Sequence, residues 1–136
     1  MEPNLKKYLA KFGTQPFVFL PALSTVTVMG CRGEILAHDG SIVVERVTFP
    51  PNTKILPHRH PSVSVADFGI CGSGEFSVRH HKFSNDEYAA KRLPLVVGRN
   101  MIHGGIVGPH GATIISFQYW HTEPKESLFF DWDGAQ

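Results

Sequence analysis

The sequence is short of charge of either sign in excess. Thirteen Lys and Arg stand against twelve Asp and Glu, for a formal net charge of +1. No basic block stands out, which argues against nucleic acid as the main partner. Cysteine is scarce as well. Cys31 and Cys71 are the only two, and they fit neither a metal-ligand spacing nor a disulfide framework, so they read as small apolar residues. No apolar run approaches the ~20 residues of a bilayer span. The first residues are charged and polar, with no signal-peptide core. The expected location is therefore the cytoplasm, with no membrane partner. Repeats and low-complexity segments are absent, and no helical period of useful length follows Gly13.

What is present is a globular composition: 136 residues, 42% apolar and 18% charged, enough for one domain with its own core. Leu5, Tyr8, Leu9 and Phe12 form the apolar stripe of a short helix, with Pro3 near its start and Gly13 past its end. From residue 17 the pattern changes to short β-branched and aromatic runs separated by turn signals, as in a sandwich or barrel. The runs cover 17–20, 25–29, 34–37, 41–49, 54–60, 63–71, 75–79, 93–97, 101–107 and 112–121. Asp39-Gly40 is a hairpin signal. Gly72-Ser73-Gly74 and the stretch 108–111 read as turns. The expected organisation is a single domain over 1–136, with a helix at about 3–12, a barrel at about 17–122 and an aromatic tail at 128–133. The tail carries Phe129, Phe130 and Trp132. With Leu5, Tyr8 and Leu9, these are more apolar surface than chain ends usually leave in water, so a homodimer is expected.

Three of the eight histidines organise the chemistry. His58 and His60 are two apart, so on a strand both imidazoles project from one face. Two neutral imidazoles side by side make half of a first-row metal site. His103 supplies a third. The order of these elements resembles the cupin superfamily, over about residues 48–120. His58-Arg59-His60 matches the H-x-H of its first motif, and Gly72 lies at that motif's closing glycine. His103 lies at the histidine of the second motif, with Asn100 in place of the preceding glycine. Asn is a good substitute there, because it tolerates positive φ.

The resemblance implies an all-β fold, the double-stranded β-helix or jelly-roll barrel, and a divalent metal held by His58, His60 and His103. The motif's glutamate would fall at Ser64 or Val65, and neither can serve. Asp67 is the nearest carboxylate, as a ligand or as an acceptor just behind one. Three neutral histidines leave the full +2 on the metal, which favours an anionic or chelating small-molecule substrate. The resemblance then implies a metal-dependent enzyme with iron and dioxygenase-type chemistry first, and nickel, manganese, zinc or copper as other metals. Isomerase, cyclase or lyase chemistry and a non-catalytic binding module are the alternatives.

Phe68, Phe76, Met101, Ile115, Phe117 and His121 are the candidate pocket residues, with Tyr119 as a candidate acid or hydrogen-bond donor. Each has a plainer reading as core or surface, and strand register decides between the two. His80 and His81 are adjacent, so they face opposite sides of a strand, and they are expected near its end in solvent. His38 and His110 sit in turn signals and read as surface residues.

Overall fold

The Asp39-Gly40 signal marks a hairpin. Asp39 pairs with Ile42 across a two-residue loop in which Gly40 has φ 57°, a backbone angle that costs glycine little. The structure is a computed structural model that describes residues 21–28, 30–79, 81–84, 95–98, 100–122 and 133–134. The expected helix at 3–12 and the tail positions 128–132 lie outside the described residues. Among the described residues every regular element is a strand, and no helix is long and apolar enough to cross a membrane.

The strands are β1 (Ser24–Val28), β2 (Cys31–Asp39), β3 (Ile42–Phe49), β4 (Lys54–Arg59), β5 (Val63–Val78), β6 (His81–Ser84), β7 (Leu95–Gly98), β8 (His103–Trp120) and β9 (Asp133–Gly134). Two of them are longer than the sequence pattern predicts. The Gly72-Ser73-Gly74 stretch does not end a strand; it is a corner inside the 16-residue β5. The stretch 108–111 is likewise a corner inside the 18-residue β8. Both strands keep pairing with each other on either side of the corner, so each passes from one sheet of the barrel to the other. Gly72 (φ 126°) and Gly111 (φ 76°) take up the bend. A Cβ on Gly72 would lie 2.5 Å from the Gly111 carbonyl oxygen, so the two corners touch through bare backbone.

Pairing beyond the corners defines two facing sheets. One runs β1-β2-β3-β8-β5-β7 and uses the C-terminal half of β8 with the N-terminal half of β5. The other runs β9-β4-β8-β5-β6 and uses the opposite halves. β3 in the first sheet therefore faces β4 in the second. The result is the antiparallel jelly-roll that the sequence predicts.

The interior holds Ile35, Val43, Val63, Ala66 and Trp120 in one cluster and Ile70, Phe76, Val107 and Ala112 in the other. Each such side chain contributes roughly 1.5–3 kcal/mol on burial. A further cluster, Leu36, Ile42, Val44, Ile115 and Phe117, lies on the opposite face of the first sheet. β3 is thus buried on both faces, which is why Ile42-Val43-Val44 is a continuous apolar run and not an alternating one. On that outer face the buried Arg46 guanidinium donates to Glu34 at 2.9 and 2.7 Å.

Candidate metal centre

β4 and β8 bring the histidines together. His58 pairs directly with His103 across the ladder, which puts both side chains on one face. That register exists because β4 is bulged between Ile55 and His58. Pro57 sits in the bulge, one of the few sheet positions where a residue without N–H is accepted. His60 follows the end of β4 and opens a tight turn, its carbonyl accepting from Val63 N–H at 3.2 Å. The ring centroids are 4.3 Å apart for His58–His103, 4.9 Å for His58–His60 and 5.2 Å for His60–His103. One nitrogen from each ring lies within 4.8 Å of the others.

Two of the rings are aimed by their own backbone. His58 Nδ1 lies 2.7 Å from Leu56 O, and His103 Nδ1 lies 3.0 Å from Met101 O. A carbonyl can only accept, so Nδ1 carries the proton and Nε2 is left with its lone pair. Met101 O is placed by a turn in which Met101 N–H donates to Gly98 O at 3.2 Å and Asn100 takes φ 59°, the angle expected of a residue in the motif glycine's place. Burial pushes the His103 pKa down to about 3, helped by His58 beside it. Burial likewise lowers that of His58 to about 4, with its Leu56 hydrogen bond opposing and His60 adding to the fall. Both are neutral at physiological pH, the form that binds metal.

Glycine lets the strands close on this site. A Cβ on Gly104 would lie 2.7 Å from Ile55 O and 3.1 Å from Pro57 N, so only bare backbone beside His103 allows β4 to approach. The Phe68 ring, 5.6 Å from that of His103, stands against the cluster from the facing sheet. Phe76 is buried in the interior and pairs with Gly105. Met101 is half-buried and acts here through its carbonyl.

Other sequence candidates go elsewhere. Asp67 is buried, but it neighbours the inward Phe68 on a regular stretch of β5 and pairs with Phe117. Its carboxylate therefore faces away from the histidines, and burial raises its pKa. Ser64 is the extra residue of the bulge between Val63 and Val65, and Val65 packs with the outer cluster. Ile115 and Phe117 belong to that outer cluster and Tyr119 packs against it, so none of the three lines the histidine site. His121 is exposed. His38, His81 and His110 are exposed as expected. The inner face of β8 carries instead Ser116, Gln118 and Trp120, all buried. Facing Ser116 on β3 is the buried Glu45.

The pattern of β8 hid these residues. Ser116 and Gln118 alternate with Ile115, Phe117 and Tyr119, and an ordinary half-buried strand would turn the apolar set inward. Polar residues that face a barrel interior are the signature of a site, but only the structure shows which set that is.

The donor set fits a metal. Zn–N bonds of 2.0–2.1 Å place two ligand nitrogens of a tetrahedral site ~3.4 Å apart, which small ring rotations would reach from the present spacing. Among the described residues no carboxylate joins the cluster.

No protein-family model and no curated protein matches the sequence. Solved structures do match in fold. KdgF from Halomonas sp. superposes with a TM-score of 0.55 at 18% identity, covering 71% of this chain and 87% of that one. An RmlC-like cupin from Shewanella frigidimarina gives 0.53 at 14% identity, covering 79% and 90%. The DMSP lyase DddQ from Ruegeria pomeroyi gives 0.56 at 13% identity, covering 81% of this chain and 57% of that one. At such identities the likeness speaks for the fold, and with the two-sheet topology above it establishes that this chain has the fold of the cupin superfamily.

Proposed function

We propose that the chain is a small metal-dependent enzyme in which His58, His60 and His103 hold one divalent transition metal and an anionic or chelating organic substrate completes the coordination. The observation that carries this reading is the pair of Nδ1–carbonyl contacts, which commits two inward imidazoles, His58 buried and His103 half-buried, to present Nε2 toward a third. Core histidines with no metal role have no reason to converge in this way. When bound, the metal would supply Lewis acidity and, as iron, a centre for oxygen chemistry. The chain's own residues orient the ligands through Leu56 O and Met101 O and restrict water with Phe68. Three neutral ligands leave the metal's charge uncompensated, and a substrate carboxylate or enolate would supply what no carboxylate among the described residues does.

Oxygenase-type turnover is the first reading and Lewis-acid lyase or isomerase turnover the second. The second is favoured by the name of the Ruegeria neighbour, a lyase. The test is elemental analysis of protein purified without added metal, followed by oxygen uptake and anaerobic turnover assays with small carboxylates. About one metal per chain, lost in His103→Ala, supports the site. Equal, near-zero metal in both proteins refutes it. Oxygen uptake separates the oxygenase from the lyase. Stoichiometric metal without turnover of any kind identifies a binding module.

A further inference from the structure

The outer face of the second sheet carries apolar side chains in water. Val107 is buried in the interior and Gly105 pairs with the inward Phe76. By alternation Ile106, and Ile102 just before the strand, point out of the barrel. Both are exposed. Leu56 is exposed too, in the β4 bulge that lies opposite Gly104, between the levels of the two isoleucines. Five large hydrophobic side chains are exposed among the described residues, and three of the five adjoin here. Single exposed apolar residues need no explanation, but a contiguous group does.

Opposite charges flank this group. The cross-strand partners of Ile106 are Lys54 on β4 and Glu75 on β5, so the three share one level and one face. Ile55, next to Lys54, packs against the interior cluster, which confirms that Lys54 points outward. Lys54 and Glu75 are both exposed. Among the described residues neither has an ion-pair partner. They stand one strand to either side of Ile106, about 10 Å apart at strand spacing.

From this arrangement we infer that the face docks a second copy of the chain, sheet against sheet, about a two-fold axis that runs along β8. Rotation about that axis exchanges the two sides of β8. It sets Lys54 against Glu75 of the partner subunit, and Glu75 against Lys54 of the partner subunit. Ile106 then meets Ile106 of the partner subunit at the centre. A two-fold interface forms every contact twice and must be self-complementary. Opposite charges on the two sides of an apolar line meet that requirement, and an apolar centre with a charged rim is the ordinary build of an interface. None of these residues comes from the chain ends, and the inference does not depend on a metal. His58 and His103 lie on the other face of the same two strands, so the second copy would brace the wall of the histidine site from behind.

Sedimentation of the full chain over a dilution series reads the dimer dissociation constant, with circular dichroism to show that each variant is folded. Wild type should sediment as a dimer. Ile106→Lys puts a charge at the centre of the interface and should weaken association ~30-fold or more. Ile106→Ser removes the apolar contact without a charge, should weaken it in the same direction, and decides the matter if Ile106→Lys does not fold. Lys54→Glu sets like charges against each other twice and should weaken association about tenfold or more. Lys54→Glu/Glu75→Lys exchanges the two charges and should return the affinity toward that of wild type. A monomeric wild type overturns the interface, as does a folded Ile106 variant that dimerises as tightly as wild type. A Lys54→Glu protein with undiminished affinity, or a double exchange no tighter than Lys54→Glu alone, overturns the two-fold arrangement along β8.

Discussion

Lowering the pH of the metal-free protein should destabilise it through His58 and His103. Their folded-state pKa values are about 4 and about 3, whereas an unfolded histidine titrates near 6.5. As the pH falls through 6.5 the unfolded chain takes up two protons that the folded chain refuses, so the equilibrium moves toward unfolding. The stability these groups contribute is complete above about 6.5 and is lost progressively down to their folded values. Between pH 7.5 and 5.5 each group costs about 1.4 kcal/mol, or about 3 kcal/mol together. Folded protonation is negligible in this window.

The assay is urea unfolding in excess chelator at the two pH values, for wild type and for the double variant His58→Gln/His103→Gln. With a urea slope of roughly 1–3 kcal/mol/M, the wild-type midpoint should fall by at least about 1 M more than that of the variant. Asp67, whose pKa burial raises, works in the opposite direction. It is common to both proteins and cancels in the difference. A variant that loses as much stability as wild type would show that the two imidazoles are not held neutral by burial, and the ligand-ready form assigned to them would fall.

Asp67→Asn should leave metal content unchanged, because the side chain faces away from the histidines; a metal loss equal to that of His60→Asn would place the carboxylate on the metal. Gly104→Ala puts a methyl 2.7 Å from Ile55 O and should push β4 outward, cutting metal affinity by ~10–100-fold, the scale of other changes just outside the ligands; isothermal titration with Zn(II) reads it. Arg46→Met removes the buried guanidinium that lies 2.7 Å from the Glu34 carboxylate and leaves it only the exposed Arg32 at 3.3 Å, and should cost about 3 kcal/mol, most of it recovered in Glu34→Leu/Arg46→Met; urea midpoints check both. Arg46 holds the Glu34 pKa below its usual value, so this pair's contribution is present above pH 4.5 and fades as the pH drops through the folded value.

How much the sequence determined follows from the range of its signals. Spacing of two on a strand is a local property, so His58 and His60 could be placed on one face without a structure. The hairpin at Asp39-Gly40 and the positive φ at Asn100 are equally local, since each follows from what one or two residues allow their own backbone. The β-rich class was legible through periodicity, and the third histidine through the resemblance of its surroundings to the second cupin motif. What tertiary structure alone decided was parity. From the odd-numbered His103, a regular strand would carry Ile115, Phe117 and Tyr119 to the same side. The corner at 108–111 shifts the alternation, and Ser116, Gln118 and Trp120 take the interior instead. No residue in that corner announces on which face the strand resumes, because the answer depends on its pairing with β3 and β5, partners some seventy and forty residues away in the chain.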